Sequence, residues 1–478
     1  MVLLGASDFV PPVPTFPIPN IYLPLWFVFL AAFGWYMERR TRCFSRFNIF
    51  TVFVVAMYLR YGLAVPFSDG VNPSSSTHTQ VSTGQLLSWY GALVLTYLGI
   101  AAGVEIVYRW RGTIPGAGIF NGPRAADNRA LLAAAVILIG IVGLTWIVLP
   151  WSELKASAAA IIGPGHSAAQ YRAHRIAYGN LTSYSSSYLH YLGSFTRFAL
   201  LPGMMWVLWF HRKQSRLAHG FFWVCFGMLA LIGVASGEKM PALLLGLGFL
   251  IALVLGVGAP RIFNWKLVGL AALGILAVIP ALYHLQEPGW NYFQLLVGSI
   301  YRETIEYSRL GQLRFVFYPD LHPFLYGQSS FLIHAAERVV GVAGPAAQAP
   351  EVYIPAHSAG VEAGYNGTWN AGFFAEAWAD FGFIGVVVES VIVGVLLASI
   401  QRWFENGVKG PLALGTYTAL CVASLYLTET ALLTTLWTFG LLSVFLVYLV
   451  LARFPLATGA TRPSPATQEG ASLQRKPG

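Results

Sequence analysis

Long apolar runs alternate with short polar connections along almost the whole chain. Runs of about 17–25 apolar residues are long enough to cross the ~30 Å hydrocarbon core of a bilayer as α-helices. The pattern predicts eleven spans, at about 21–37, 47–66, 85–108, 130–150, 188–210, 218–235, 241–258, 267–284, 372–400, 411–428 and 430–452. We therefore predict an all-α polytopic membrane domain over residues 1–455 and a disordered cytoplasmic tail at 456–478.

The composition points in the same direction. Hydrophobic residues make up 56% of the chain and charged residues only 10%, whereas soluble domains are about 25% charged. Cys43, Cys225 and Cys421 are dispersed, so the sequence predicts neither a disulfide framework nor a thiolate metal site. We expect no cofactor and no metal.

Basic residues set the predicted orientation. Most of the 29 lysines and arginines fall in 38–46, 109–129, 211–217, 259–266, 401–410 and the tail. The positive-inside rule makes these connections cytoplasmic and the N-terminus external. Contact with anionic lipid then accounts for most of the +9 charge, so no nucleic-acid partner is predicted. The basic residues left on the outer side are Lys155, Arg172, Arg175, Lys239, Arg302, Arg309, Arg314 and Arg338.

Two predicted outer loops, about 151–187 and 285–371, are too long to be simple connections, and long loops often carry function. The first contains YRAHRIAYGN, a basic and aromatic cluster with Arg172 and Arg175. The second contains FLIHAAERVV, a predicted short helix that carries Arg338.

The second loop begins WNYFQLLVGSIYRETIEYSRLGQLRF, which predicts an amphipathic helix. Its predicted apolar side consists of Phe293, Leu296, Val297, Ile300 and Tyr301. Arg302, Glu306 and Arg309 share a face by i, i+4 and i, i+3 spacing, so Glu306 bridging two arginines on a solvated face is one sufficient explanation. Arg314 has no partner at such spacing.

The stretch VASGEKMPALL places Lys239 at the head of a predicted span. A lysine there opposes the helix dipole and, with the backbone N–H groups of the first turn, attracts anions. The alternative is that Lys239 snorkels and pairs with Glu238.

The stretch YNGTWNAGFFAEAWADFGFIG places Glu376 and Asp380 on one helix face in the first turns of a span. Carboxylates within a membrane helix mark function by default, and partial burial suits a general base. The alternative is that they bond to neighbouring helices or pair with Arg197. Residues suited to sugar recognition, or equally to a helix cap, precede them: Asn366, Trp369 and Asn370.

The order of three segments resembles the Wzy-type O-antigen polymerases. These are SGEKMPALLLGLGFL, then a large outer loop, then NGTWNAGFFAEAWADFGFIGVVVESVIVG. The resemblance covers roughly residues 190–455. It implies a GT-C-like glycosyltransferase of the bacterial inner membrane whose active face is periplasmic. Such an enzyme joins undecaprenyl-pyrophosphate-linked oligosaccharide repeat units into a surface polysaccharide, and a chain-length regulator is a possible partner. The family usually has an arginine where this chain has Lys239, and its R-x10-G loop motifs are not reproduced here.

The residues suggest roles in that metal-independent, inverting chemistry. Cations would neutralise the pyrophosphate leaving group: Lys239, Arg302, Arg314, Arg338 and, from the first loop, Arg172 and Arg175. A base for the attacking hydroxyl would come from Glu376 or Asp380, with His357 behind them. The sequence leaves three alternatives open: an O-antigen ligase, a lipid-linked oligosaccharide flippase or transporter, and a non-catalytic assembly subunit.

Overall fold

The structure is a computed structural model that describes residues 22–64, 82–111, 134–141, 143, 195–213, 215–236, 240–257, 291–327, 371–406 and 410–453. Over these residues the chain is helical and has no β-strand. The predicted span at 267–284, the first outer loop and the tail lie outside the described residues.

Among the described residues, twelve α-helices have bounds at both ends. They are α1 Tyr22–Thr41, α2 Ile49–Met57, α3 Thr83–Arg111, α4 Leu201–His211, α5 Arg216–Ser236, α6 Met240–Val257, α7 Tyr292–Tyr301, α8 Tyr307–Phe317, α9 Phe373–Asn406, α10 Pro411–Tyr426, α11 Leu432–Trp437 and α12 Ser443–Arg453. Residues 134–141 are also helical.

Two of these helices are long and apolar enough to cross a membrane, over Thr83–Trp110 in α3 and Phe373–Glu405 in α9. Shorter apolar helices cover Ile49–Gly62, Arg216–Leu231, Leu244–Gly256 and Pro411–Tyr426. This architecture is compatible with a helical membrane protein. Eleven spans remain a prediction.

Small residues bring α3 and α9 into direct backbone contact. A Cβ atom on Gly103 would lie 2.3 Å from the carbonyl oxygen of Val391, and one on Gly394 would lie 2.3 Å from that of Ile100. Gly99 and Gly103 form a G-x-x-x-G pattern on α3, the spacing that lets membrane helices approach closely. The two long helices therefore form the central pair of the fold.

The outward faces of these helices are apolar as well. On α9, Ile384 is 75% exposed and Val388 is 51% exposed, and on α1 Val28 is 66% exposed. Extended apolar surface is unusual for a soluble monomer and is expected where lipid covers a helix.

Capping residues start several helices. Asn48 and Thr51 form a reciprocal capping box at α2. At α7, the Gln294 backbone N–H donates to Asn291 Oδ1 while the Asn291 N–H donates to Gln294 Oε1, both at 2.9 Å. These side chains satisfy donors that the first helical turn leaves without partners.

Three π-helical turns interrupt the described helices, and each carries an arginine. The first, Tyr58–Gly62, continues α2; the second, Thr196–Leu200, leads into α4; the third, Arg302–Glu306, joins α7 to α8. Single π-turns are uncommon and often occur at functional sites. The first and third turns pack against each other.

The structure corrects the predicted single span at 430–452. Helix α11 ends at Trp437 and α12 begins at Ser443, with Gly440 between them at a φ of 90°. That conformation is open to glycine but unfavourable for other residues, so the apolar run turns here instead of continuing as one helix.

The structure shows which side of the predicted loop helix is buried. In α7, Phe293 and Ile300 are exposed, whereas Leu295, Gly298 and Ser299 are buried. Beyond the third π-turn, α8 is buried almost all round. The segment assigned to an outer loop therefore sends a helix into the core.

Candidate functional site

A buried ion pair joins α8 to the first turn of α9. Arg314 donates to Glu376 Oε1 from Nη2 at 2.6 Å and from Nε at 3.1 Å. Its Nη1 donates to the carbonyl of Leu310 at 2.9 Å. Arg314 is fully buried and Glu376 is 5% exposed. Glu376 also suits its position, because a helix N-terminus stabilises negative charge.

An aromatic cluster joins α3 to α8 and α9, and its members Phe315 and Trp378 lie one and two residues along the chain from Arg314 and Glu376. Phe315 stacks on Trp378 with 4.2 Å between ring centroids, and Trp89 of α3 meets Phe315 edge-on at 5.2 Å. Gly311 permits this arrangement, because a Cβ there would lie 2.4 Å from the Trp89 ring. Trp378 Nε1 donates to the Tyr318 carbonyl at 3.0 Å. The cluster packs α3, α8 and α9 against one another, and the Arg314–Glu376 pair is itself buried.

A second buried ion pair lies at the first π-turn. Arg60 Nη2 is 2.7 Å from Glu429 Oε1, and its Nη1 donates to Thr428 Oγ1 at 2.6 Å. The guanidinium also lies 4.2 Å from the ring centroid of Tyr307, the first residue of α8. A cation over an aromatic face is attracted to it. Arg60 therefore ties α2, α8 and the turn after α10 together.

Tyr61 connects the two pairs. Its hydroxyl donates to the Thr428 carbonyl at 2.9 Å and accepts from the Gly372 N–H at 2.7 Å, just before α9 begins. It lies within electrostatic reach of Arg60, Glu429 and Arg314. We call Arg60, Glu429, Arg314 and Glu376 the paired-charge cluster.

Asp380 has a different environment. At Gly382 the backbone has φ 60° and ψ −144°, which breaks the helix six residues after Glu376. The Ala379 and Asp380 carbonyls accept instead from the N–H groups of Leu325 and Tyr326, at 3.0 and 2.9 Å. Asp380 Oδ1 accepts from the Gly327 N–H at 3.2 Å. Asp380 thus anchors the segment that follows α8.

The structure brings together three of the predicted site residues, Glu376, Asp380 and Arg314, at the start of α9. In the structure Glu376 pairs with Arg314, whereas the alternative considered from the sequence was a pair with Arg197. The backbone of Arg302 lies in the third π-turn. The other predicted site residues lie outside the described residues: Lys239, His357, Arg338, Arg172, Arg175, Asn366, Trp369 and Asn370.

Sequence reasoning missed Arg60, Glu429 and the linking Tyr61. A signal existed, because Arg60 interrupts one predicted span and Glu429 separates two others. Charges inside membrane helices tend to occur as pairs, so these two opposite charges were natural candidates for each other.

The paired-charge cluster has definite chemical capacities. Its guanidinium groups can bind an anion if they exchange their carboxylate partners for it, and a carboxylate released in that way can accept a proton. Among the described residues, no group of three or more His, Cys, Asp or Glu could hold a metal ion.

No protein-family model, curated protein or solved structure matches this chain. The class of protein therefore follows from the fold alone: over its described residues it is an all-helical protein with two membrane-capable helices and a buried paired-charge cluster.

Proposed function

We propose that this protein is a membrane glycosyltransferase that polymerises polyprenyl-pyrophosphate-linked oligosaccharide repeat units. The product would be an O-antigen, exopolysaccharide or related surface glycan, made on the periplasmic face of a bacterial inner membrane. The observation that carries the proposal is the meeting of Arg314 and Glu376 at the head of α9, from positions 62 residues apart in sequence.

The chemistry requires an anion-binding group beside a proton acceptor. An acceptor sugar hydroxyl attacks the anomeric carbon of the donor glycan, the new C–O bond forms, and the bond to the pyrophosphate oxygen breaks. The hydroxyl proton passes to a carboxylate, and the lipid pyrophosphate leaves as the anion. Direct displacement inverts the anomeric configuration. Arginine suits the leaving group because its guanidinium matches phosphate oxygens in a bidentate manner.

The Arg314–Glu376 pair links these two roles. A pyrophosphate that binds Arg314 competes with the Glu376 carboxylate for the same N–H donors. Glu376 then loses its cation and becomes a stronger proton acceptor, since a nearby positive charge stabilises the ionised form of a carboxylate. Substrate binding would in this way release the base, and Asp380 would hold the adjoining segment in place.

The test is the length of the polymer made by cells that lack this protein and carry variants at equal membrane levels. Glu376→Gln should lower the rate of polymerisation by about 10²–10⁴-fold, the usual effect of losing a proton-transfer group. Arg314→Gln should lower it by about 10²–10³-fold, the usual effect of losing a donor that stabilises developing negative charge. Single lipid-linked units should then accumulate on the periplasmic side. Lys239→Ala should also lower the rate of polymerisation, and cells with Lys239→Arg should still make polymer.

Arg40→Gln is the matched control, because Arg40 pairs with Glu105 at 2.7 Å but is 40% exposed in its side chain. This variant should make polymer of normal length. Normal polymer from every variant at Arg314, Glu376 and Lys239 would refute the site, and with it this proposal.

A second candidate, a lipid-linked oligosaccharide transporter, is favoured by the interrupted helices. Transporters often bind substrate where helices are broken, and here π-turns carry Arg60 and Arg197 while Gly382 breaks α9. The two functions differ in where single units accumulate when the protein is lost. Accumulation on the cytoplasmic side identifies transport, and accumulation on the periplasmic side identifies polymerisation.

A further inference from the structure

A single carboxylate lies near the middle of α9. Glu389 is sixteen residues from either end of the membrane-capable stretch Phe373–Glu405. At 1.5 Å per residue about 24 Å of helix lies on each side, whereas half of the hydrocarbon core of a bilayer is only about 15 Å thick. Where α9 crosses a bilayer, Glu389 therefore lies near the midplane. Neither the paired-charge cluster nor the proposed reaction uses this side chain.

No cation neutralises this carboxylate in the part of the chain that the structure describes. The charged groups within electrostatic reach of Glu389 are Asp380 and Glu376, which are both carboxylates. None of the described residues forms a hydrogen bond or an ion pair with Glu389. The neighbouring Ser390 is turned toward α3, because a Cβ on Gly99 would lie 2.7 Å from the Ser390 Cβ. The described residues thus supply Glu389 with neither an opposite charge nor a hydrogen-bond donor.

Glu389 borders the outward apolar face of α9. Ile384, Val388 and Ile392 form an exposed row at four-residue spacing, and the partly buried Glu389 lies beside it. On the inner side Val393, one turn further along the helix, is fully buried. The carboxylate therefore lies at the boundary between the packed interior and the exposed row, where a second helix can reach it.

Lipid cannot satisfy a carboxylate at this depth. The hydrocarbon core contains no hydrogen-bond donors, and ionisable side chains within it usually pair with one another and mark function. A lysine or arginine on an adjoining helix supplies both the opposite charge and the N–H donors. A row of side chains at four-residue spacing is also the kind of ridge against which a second helix packs. One occupant, a helix with a basic side chain, therefore matches both the charge and the surface.

We propose that Glu389 and the exposed row form a docking surface for a transmembrane helix of another protein, which carries a lysine or arginine near its middle. The basic side chain of the partner bonds to the Glu389 carboxylate, and its apolar side chains cover the row. A second copy of this chain matches the site less well, because a symmetric contact centred on Glu389 would oppose two carboxylates. The inference requires that α9 crosses a bilayer and does not depend on the glycan chemistry.

The probe is a synthetic transmembrane peptide of leucine and alanine, with one lysine at its centre and a fluorescent acceptor at one end. The full chain carries a donor on Ser45→Cys and is reconstituted with the peptide into phosphatidylcholine vesicles. A second peptide has leucine in place of the lysine. The peptide-to-lipid ratio at half-maximal energy transfer should be about tenfold lower for the lysine peptide, as expected for one charge-assisted hydrogen-bonded pair.

Variants then test the role of the carboxylate. Glu389→Gln should lose this preference and bind the two peptides alike. Glu105→Gln is the matched control, because the Glu105 carboxylate already bonds to Arg40 and Arg109 toward the end of α3. This control should keep the preference for the lysine peptide.

A chemical probe locates the contact on the unaltered chain. Dicyclohexylcarbodiimide, an apolar reagent that modifies carboxyl groups within membranes, should modify Glu389 of the protein alone. The lysine peptide should protect Glu389 and the leucine peptide should not, as measured by mass spectrometry of the fragment that contains it.

Four results would overturn the proposal. Equal binding of the two peptides by the parent would show that a proton alone neutralises Glu389. Equal behaviour of Glu389→Gln and Glu105→Gln would place the contact elsewhere. Energy transfer between labelled copies of this chain that Glu389→Gln abolishes would assign the surface to self-association. An unmodified Glu389 in the protein alone would show that the bilayer does not reach it. If Glu389→Gln does not fold, the protection experiment on the parent decides.

Discussion

At the scale of single residues, the paired-charge cluster is stable only while each charge keeps its partner. Desolvating one ionised side chain costs several kcal/mol, and mutual attraction with extra hydrogen bonds offsets that cost. Arg314 meets this requirement through three hydrogen bonds, two to Glu376 and one to the Leu310 carbonyl. Removing either partner takes away the opposite charge that the other, buried side chain is bonded to.

We predict that Arg314→Met destabilises the protein by about 3–5 kcal/mol, because it removes the guanidinium that is bonded to the buried Glu376 carboxylate. The double variant Arg314→Met with Glu376→Leu should recover much of this loss, since it removes both charges. The measurement is thermal unfolding in detergent, in which size-exclusion chromatography gives the fraction of protein that remains monodisperse after heating.

Arg40→Met is the control for this comparison. The Arg40–Glu105 pair has the same 2.7 Å contact but is more exposed, and exposed pairs contribute only about 0–1 kcal/mol. Equal losses from Arg40→Met and Arg314→Met would show that burial does not determine the contribution of the pair.

The sequence identified the members of the Arg314–Glu376 pair but not the pair itself. Reasoning from spacing finds partners three or four residues apart, so it related Glu306 to Arg302 and Arg309 and left Arg314 without a partner. The contact depends on α8 entering the core beside α9. That placement requires the small Gly311 against the Trp89 ring, which spacing alone does not reveal.

At the scale of the helices, α3 and α9 depend on glycine for their approach. The predicted spans 85–108 and 372–400 match these two helices closely, because length and apolar content decide the existence of such helices. The predicted span at 430–452 was wrong because one glycine with a positive φ interrupts an otherwise uniform apolar run. The apolar composition of the segment does not reveal that the backbone reverses at a single residue.

We predict that Gly103→Val strongly destabilises the α3–α9 pair. The new Cβ would lie 2.3 Å from the Val391 carbonyl oxygen and 2.7 Å from the Val395 nitrogen, so backbone must move. Overpacking usually lowers the free energy of unfolding by about 1–3 kcal/mol. Because the neighbours of Gly103 are backbone atoms, we expect a loss of about 3 kcal/mol or more. The measurement is the midpoint of thermal unfolding in detergent.

Gly227→Val in α5 serves as the control, because a Cβ there would meet no atom of the described residues within 4 Å. It makes the same chemical change on a helix surface and should shift the midpoint little. If both variants shift it equally, the effect belongs to glycine replacement in general and not to the contact between α3 and α9.

At the scale of the whole molecule, the described helices define two ends. Ile49, at the start of α2, donates its N–H to Tyr417 Oη at 2.8 Å and lies near Gln401, close to the end of α9. Arg60 follows at the other end of the same run, beside the turn after α10 that carries Glu429. The paired-charge cluster therefore lies at the end opposite the basic connection 42–48. The positive-inside rule predicts that this end faces outward, as the proposed function requires.

Single cysteines labelled with a membrane-impermeant maleimide test this orientation. Leu321 is 60% exposed in the turn after α8, at the cluster end, so Leu321→Cys should react in intact spheroplasts. Ser45→Cys and Lys213→Cys lie in basic connections and should react only after permeabilisation. The three native cysteines are buried and should give little background. The reverse labelling pattern would place the cluster on the cytoplasmic side and would exclude periplasmic polymerisation, because lipid-linked units presented outside could not then reach Arg314 and Glu376.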